Sequence, residues 1–274
     1  MALLARVYLV RHGETDENRK HIIQGQLDTL LSSLGLKQAK LVGNALRSIP
    51  FDMACSSDLS RAVSVCRERH LYASHRTESQ QTTREILVHH PEIALYQEQK
   101  ELRERVCALT RRLSFQKPHT LVKQHMGALQ GKVWENKAQA CGLGDDKTME
   151  SGAFFAARAE SWWFQYILDA TASFPRKDGP YHILVTTHGG FIGTLIRTLL
   201  RRKKARWAEG VVAQRCLNTS VTIIEIDMAG QGLIIQSCDV THLEGLMEGK
   251  AVEDNADVDD DAKHSHGSVA LPLP

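Results

Sequence analysis

Two short stretches of this 274-residue chain carry residue types that could do chemistry on phosphorus. The first is Leu9-Val10-Arg11-His12-Gly13-Glu14-Thr15, whose start overlaps the β-branched and aromatic run Arg6-Val7-Tyr8-Leu9-Val10. Such a run predicts a strand, and Gly13 lets the backbone turn away where it ends. The second is Thr187-His188-Gly189, which closes the apolar run His182-Ile183-Leu184-Val185-Thr186-Thr187. An imidazole at the carboxyl end of a strand stands where open α/β sheets place their ligands. The Arg11 guanidinium is a planar fork suited to phosphate. These residues point to attack on phosphorus by a histidine, beside an arginine that holds the phosphoryl oxygens. A turn that merely contains Arg and His is the rival reading of so short a motif.

The elements that must position these residues follow from periodicity and punctuation. After the first turn comes a polar loop containing Asn18, Gln24 and Gly25. Ser32 is a helix N-cap, and Leu34, Leu41, Val42, Ala45, Leu46 and Ile49 form the buried face of the helix that Pro50 ends. Phe51 to Cys55 reads as a buried strand, and Ser56-Ser57-Asp58-Leu59 as the start of a helix carrying Arg61 near its first turn. A helical pattern resumes from Thr83 to His90, followed by a short strand at Ala94-Leu95-Tyr96. Met126 to Gly131 looks like a purposeful loop, and Gly142 to Asp146 a polar turn. A long helix runs from about Glu150 to Ala172, with Phe155, Ala159, Trp162 and Tyr166 on one face. The strand ending at His188 leads into a helix through Leu200, closed by the cations Arg201 to Lys204. Val221 to Ile226 and Leu233 to Ser237 form a hairpin across Met228 to Gly232.

Composition narrows the function classes. The net charge of +2 hides a tail, 249–274, of net −4, rich in Asp, Ser, His and Pro and expected to be disordered. The two domain-scale units are therefore 1–248 and 249–274. No generic basic face for nucleic acid is supported. The opening apolar run is too short to span a membrane and lacks a cleavage site. Six scattered cysteines, with no Cys-x-x-Cys pair, argue against a zinc site and fit a reducing, cytoplasmic compartment.

Collected in order, the motifs are Arg11-His12-Gly13-Glu14-Thr15, Ser56-Ser57-Asp58-Leu59-x-Arg61-Ala62, Leu102-Arg103-Glu104-Arg105 and Thr187-His188-Gly189. Leu31-Ser32-x-x-Gly35-x-x-Gln38-Ala39, Trp162-Trp163 and Asn218-Thr219-Ser220 support them. The set resembles the histidine phosphatase superfamily, the phosphoglycerate mutase-like fold. Four separated motifs in the right order are far more specific than any one. The resemblance implies an α/β three-layer sandwich, a mostly parallel sheet with helices on both faces. It implies that His12 is the nucleophile and forms a phosphohistidine. Nitrogen attacks only when unprotonated, so the other ring nitrogen of His12 should be held by a carbonyl. Arg11, Arg61 and an imidazolium at His188 would surround the phosphoryl oxygens. Glu104 matches the acid/base residue, and Asn18, Gln24 and Gly25 match loop positions that help hold phosphate or substrate. No metal or cofactor is implied, and the partner is a small phosphorylated metabolite. The oligomeric state has no signal in the sequence.

The loop Ile22-Ile23-Gln24-Gly25-Gln26 and the Leu-Arg-Glu-Arg motif are similar to TIGAR-type fructose-2,6-bisphosphatases, which implies a sugar bisphosphate substrate. Gln130 departs from the Glu that many relatives carry there. Mutases of the family usually carry Trp-Asn where this chain has Glu17-Asn18, which favours a phosphatase. A phosphoglycerate mutase and a catalytically impaired phospholigand-binding protein are the alternatives.

Two stretches interrupt the family pattern. Arg61-Ala62 must skip residues 63–80 to recover Arg-Ala-x-x-Thr at Gln81-Thr82-Thr83, and Arg105 must skip 106–124 to reach His125-Met126-Gly127. Both stretches begin with Val and end with Gln, residues whose codons can carry the GT and AG ends of an intron. They also lack helical or strand periodicity and carry net charges of +1 and +4. Retained introns translated in frame account for all three features; a pair of genuine lineage-specific loops is the rival. Either way they lie close to Arg61 and Glu104, so they could impair catalysis.

Overall fold

The computed structural model describes residues 2–62, 82–93, 95–105, 150–175 and 177–247. The two extra stretches, the loops at 126–131 and 142–146 and the tail 249–274 lie outside the described residues.

Strand β1 (Leu3–Arg11) occupies the middle of a seven-stranded sheet. It is followed by a one-turn helix α1 (Asp16–Arg19) and by α2 (Ser33–Leu46), whose N-cap Ser32 accepts from the Gly35 amide as expected. Next come β2 (Met53–Ser57), α3 (Thr82–Leu87) and β3 (Leu95–Gln99). Helix α4 (Gly152–Trp162) continues through a wider π-type segment, Trp163–Asp169, into α5 (Ala170–Ser173). The wide turns explain why consecutive Trp162 and Trp163 are both buried. Then follow β4 (Tyr181–Thr187), α6 (Gly189–Arg201), β5 (Ala205–Trp207), β6 (Val221–Asp227), β7 (Gly232–Asp239) and α7 (Glu244–Met247).

The strand order is β3-β2-β4-β1-β6-β7-β5. Strands β3, β2, β4 and β1 are mutually parallel. β6 alone runs the other way, antiparallel to both β1 and β7, and β5 pairs parallel with β7. Alternate residues of β1 feed two cores. Ala5, Val7 and Leu9 meet Phe155, Trp162, Phe191 and Leu195 of α4 and α6 on one face. Tyr8 and Val10 meet Val42, Leu46, Ile86 and Leu87 of α2 and α3 on the other. That is the expected three-layer α/β sandwich, a strand buried on both faces and covered by helices.

Two expectations need correction. Ser56-Ser57-Asp58-Leu59 does not start a helix: β2 runs on to Ser57, and Asp58 to Ala62 form a turn. Burial of Cys55, Ser56 and Ser57 and their pairing to β3 and β4 carry the strand further than composition implied. Ala205 to Trp207, beyond the cationic helix end, forms an unanticipated edge strand; three residues are too few to show a period. Among the described residues no helix is long and apolar enough to cross a membrane.

Candidate active site

The parallel register brings the chemistry together. Arg11 pairs with Thr187, so His12 and His188 leave neighbouring strands side by side. Their rings lie 5.2 Å apart between centroids at 62°, both fully buried. The His12 amide donates to the Thr187 carbonyl at 3.0 Å. The His12 carbonyl accepts from the Thr219 amide at 3.2 Å and Asn218 Nδ2 at 3.1 Å. Gly13 is required by close approach: a Cβ there would stand 2.6 Å from the Gly35 carbonyl oxygen.

His12 Nδ1 lies 2.7 Å from the Gly13 carbonyl, which can only accept. Neutral His12 therefore carries its proton on Nδ1 and leaves the Nε2 lone pair for attack. Arg61 Nε points at that Nε2 at 3.3 Å. The rest of the Arg61 guanidinium donates to main-chain carbonyls, Leu27 at 2.6 Å and Gly25 at 2.8 Å. Gly25, at φ 50°, thus contributes here by holding Arg61. Arg11 is held the same way, donating to the Cys216 carbonyl at 2.6 Å. Two buried guanidiniums are fixed by the chain path around one imidazole, beside the N-terminus of α6.

His188 Nε2 lies 2.9 Å from Ser57 Oγ, which also accepts from the Leu59 amide at 3.3 Å. Among the described residues, His188 Nδ1, Asn18 Nδ2 and Gln24 Nε2 are buried without a hydrogen-bond partner. Asn18 is oriented by its carbonyl, which accepts from the Thr15 amide and hydroxyl, both at 3.1 Å. Gln24 Oε1 accepts from the Thr29 hydroxyl at 2.7 Å, so its NH2 is turned away from that bond. A buried polar atom without a partner is costly, and Asn18 Nδ2 and Gln24 Nε2 are amide donors that an acceptor would satisfy. Burial, then the charges of Arg61, His12 and Arg11, push the His188 pKa well below its ordinary value.

Glu104 completes the group. It is buried, with Oε1 accepting from the Arg105 amide at 2.8 Å and Oε2 from the Gly190 amide at 3.0 Å. The Thr187 hydroxyl donates to the Leu102 carbonyl at 2.6 Å, tying this segment to the end of β4.

All eight residues expected at the site are in described parts of the chain, and the bonds above link His12, Arg61, Gly25, His188 and Glu104 to strand ends that adjoin. Sequence reasoning missed three supports. Ser57 lay in a quoted motif, but its role on His188 had no signal. Thr82 accepts from the Gly13 amide at 3.1 Å and donates to the Arg61 carbonyl at 3.0 Å. Cys216 acts through its main chain, which leaves no mark in residue type. Among the described residues no cluster of three or more His, Cys, Asp or Glu could hold a metal ion.

The model of the histidine phosphatase superfamily, branch 1, matches residues 7–71 and 66–237. This chain belongs to the histidine phosphatase superfamily. The two matched pieces meet inside the first extra stretch. A probable phosphatase of Schizosaccharomyces pombe is 27% identical over 250 residues, 90% of this chain and 99% of that protein. A broad-specificity phosphatase of Saccharomyces cerevisiae is 45% identical over 60 residues, 21% of this chain and 26% of that protein. A phosphoglycerate mutase structure from Bacillus anthracis superposes with a TM-score of 0.60 at 21% identity, over 88% of this chain and 96% of that one. The superfamily member described here is a phosphoric monoester hydrolase with the phosphoglycerate mutase-like fold.

Proposed function

We propose that the protein hydrolyses phosphate monoesters of small metabolites through a phosphohistidine on His12, without a metal. The observation that carries this reading is the fixed tautomer of His12, with Nδ1 on the Gly13 carbonyl and Nε2 beside Arg61. In the first step Nε2 forms a bond to phosphorus as the ester P–O bond breaks. Glu104 gives its proton to the leaving oxygen. In the second step Glu104 takes a proton from water as the water oxygen attacks phosphorus and the N–P bond breaks. Arg11, Arg61 and His188 meet the equatorial oxygens, with Asn18 and Gln24 adding amide donors. Arg11 and Arg61 supply fixed positive charge, so a chelator should leave the rate unchanged.

Fructose 2,6-bisphosphate or a related sugar bisphosphate is the candidate substrate. The support is the loop at 22–26 and the Leu-Arg-Glu-Arg motif. A mutase would return an isomer rather than free phosphate, so measuring both products separates the readings. Rapid quenching with labelled substrate should trap an acid-labile phosphoprotein that is absent from His12→Ala. Phosphate release by His12→Ala at the wild-type rate would overturn the proposal.

A further inference from the structure

Helix α4 sends one side chain toward the acid-bearing segment. Arg158 has five N–H donors in a planar fork, and every one has an acceptor. Nε and Nη2 form a bidentate pair with the Glu150 carboxylate at 2.9 and 2.7 Å. Nη1 donates to the Glu101 carbonyl at 2.6 Å and the Arg103 carbonyl at 2.9 Å. Nη2 also reaches the Glu104 carbonyl at 3.4 Å. The side chains of Arg158 and Glu150 are only 20% and 11% exposed, and the guanidinium lies 4.7 Å from the centre of the Phe155 ring.

Three of these five bonds converge on the four residues that end in Glu104, at the carbonyls of Glu101, Arg103 and Glu104. The segment has further ties. Gln26 donates to the Glu104 carbonyl at 3.1 Å, and Arg103 forms a bidentate pair with Asp58 at 2.6 and 2.7 Å. Arg105 Nε donates to the Glu150 carbonyl at 2.7 Å. Residues 101–105 form no strand and only a single 3-10 turn, so their path is set by side chains that collect their carbonyls. Arg158 collects three of those carbonyls from one rigid helix, and Glu150 aims its fork.

We infer that Arg158 is a positioning residue for Glu104, with Glu150 as its partner, and that it acts on the proton-transfer half of the reaction. This inference rests on Glu104 being the general acid and base. A proton-transfer group needs placement to within about half an ångström, and a displacement of about 1 Å can cost on the order of 10²-fold in rate. Lys cannot replace the fork, because an ammonium on a flexible stem cannot hold a carboxylate bidentately and span three carbonyls.

The test compares two monoesters, p-nitrophenyl phosphate, whose leaving group needs little protonation, and an alkyl phosphate, whose leaving group needs a full proton. Phosphohistidine formation is followed by rapid quench in wild type, Glu104→Gln, Arg158→Lys, Arg158→Met and Glu104→Gln/Arg158→Met. Glu104→Gln should lose at least tenfold more on the alkyl ester than on the nitrophenyl ester. Arg158→Lys and Arg158→Met should show the same selective loss, and the double variant should be no slower than Glu104→Gln. An Arg158 loss equal on both esters, or one that multiplies the Glu104→Gln loss, overturns the inference while leaving Glu104 in its role. A Glu104→Gln loss equal on both esters overturns the Glu104 reading itself and takes the inference with it. Arg158→Lys retains the charge and supplies the comparison if Arg158→Met fails to fold.

Discussion

At the scale of single residues, the Glu104 carboxylate and Gly190 share one small space. A Cβ on residue 190 would lie 2.4 Å from Glu104 Oε1, inside any tolerated contact. The clashing atom is the end of a side chain, so the carboxylate moves and the backbone need not. Gly190→Ala should therefore fold normally and lose about 10²-fold in phosphate release, the cost of misplacing a reacting group. A circular dichroism melt beside a steady-state assay checks both halves; full activity would show that the position of Glu104 is not critical. His12, Arg11 and His188 were legible in the sequence because each sits where an apolar run meets glycine. Ser57, Thr82 and Arg158 were not. They work through hydrogen bonds to residues 131, 21 and 54 to 57 positions away, and such pairings leave no local pattern.

At the scale of elements, the joint between Arg61-Ala62 and Thr82-Thr83 is the informative one. The Thr82 hydroxyl donates to the Arg61 carbonyl, and the Thr83 hydroxyl to that of Ala62. If residues 63–80 were absent, each threonine would stand three positions after its acceptor. Threonine hydroxyls make that bond within a helix. Helix α3 is also seated independently: Gly43 of α2 lets the Glu85 main chain approach so closely that a Cβ would stand 2.2 Å from its carbonyl oxygen. A chain joining Ala62 to Gln81 should therefore fold with the same site. A loop of that length costs on the order of 2 kcal/mol to close, so its deletion should raise the unfolding midpoint by several degrees. A lowered midpoint, read by calorimetry, would show that 63–80 packs against the domain. The sequence marked where the family pattern breaks; that the flanks are stitched together depends on side-chain reach, which no spacing encodes. The expected helix at Ser56 to Leu59 failed for a related reason: its first two residues are claimed by main-chain pairing, Ser56 with both β3 and β4 and Ser57 with β3.

At the scale of the whole molecule, the buried histidines tie stability to pH. His188 is fully buried and its pKa is pushed well down, chiefly by desolvation; His182 and His242 are shifted the same way by burial. Below about pH 6.5 the unfolded chain binds protons that the folded chain refuses. Stability is thus fully present above that pH and is lost as pH falls, by about 1.4 kcal/mol per pH unit for His188. Urea titrations at pH 7 and pH 5.5 should show a smaller loss in His188→Asn than in wild type. Saturating phosphate should shrink the wild-type loss, because an oxyanion favours the protonated ring. Equal losses in both proteins would sink this account. The three-layer architecture was legible because its strands and helix faces are long and regular. The edge strand β5, with three residues, was beneath that threshold.

The two guanidiniums of the site hang from oxygens of the peptide chain, at Leu27 and Gly25 for one and at Cys216 for the other. A peptide oxygen persists whatever side chain its codon specifies. The side chain at position 27 can therefore change while the site keeps its electrostatic character, whereas Cys216, whose thiol is packed in the core, is held by that packing as well. In this molecule the grip on phosphorus is inherited with the loop's course.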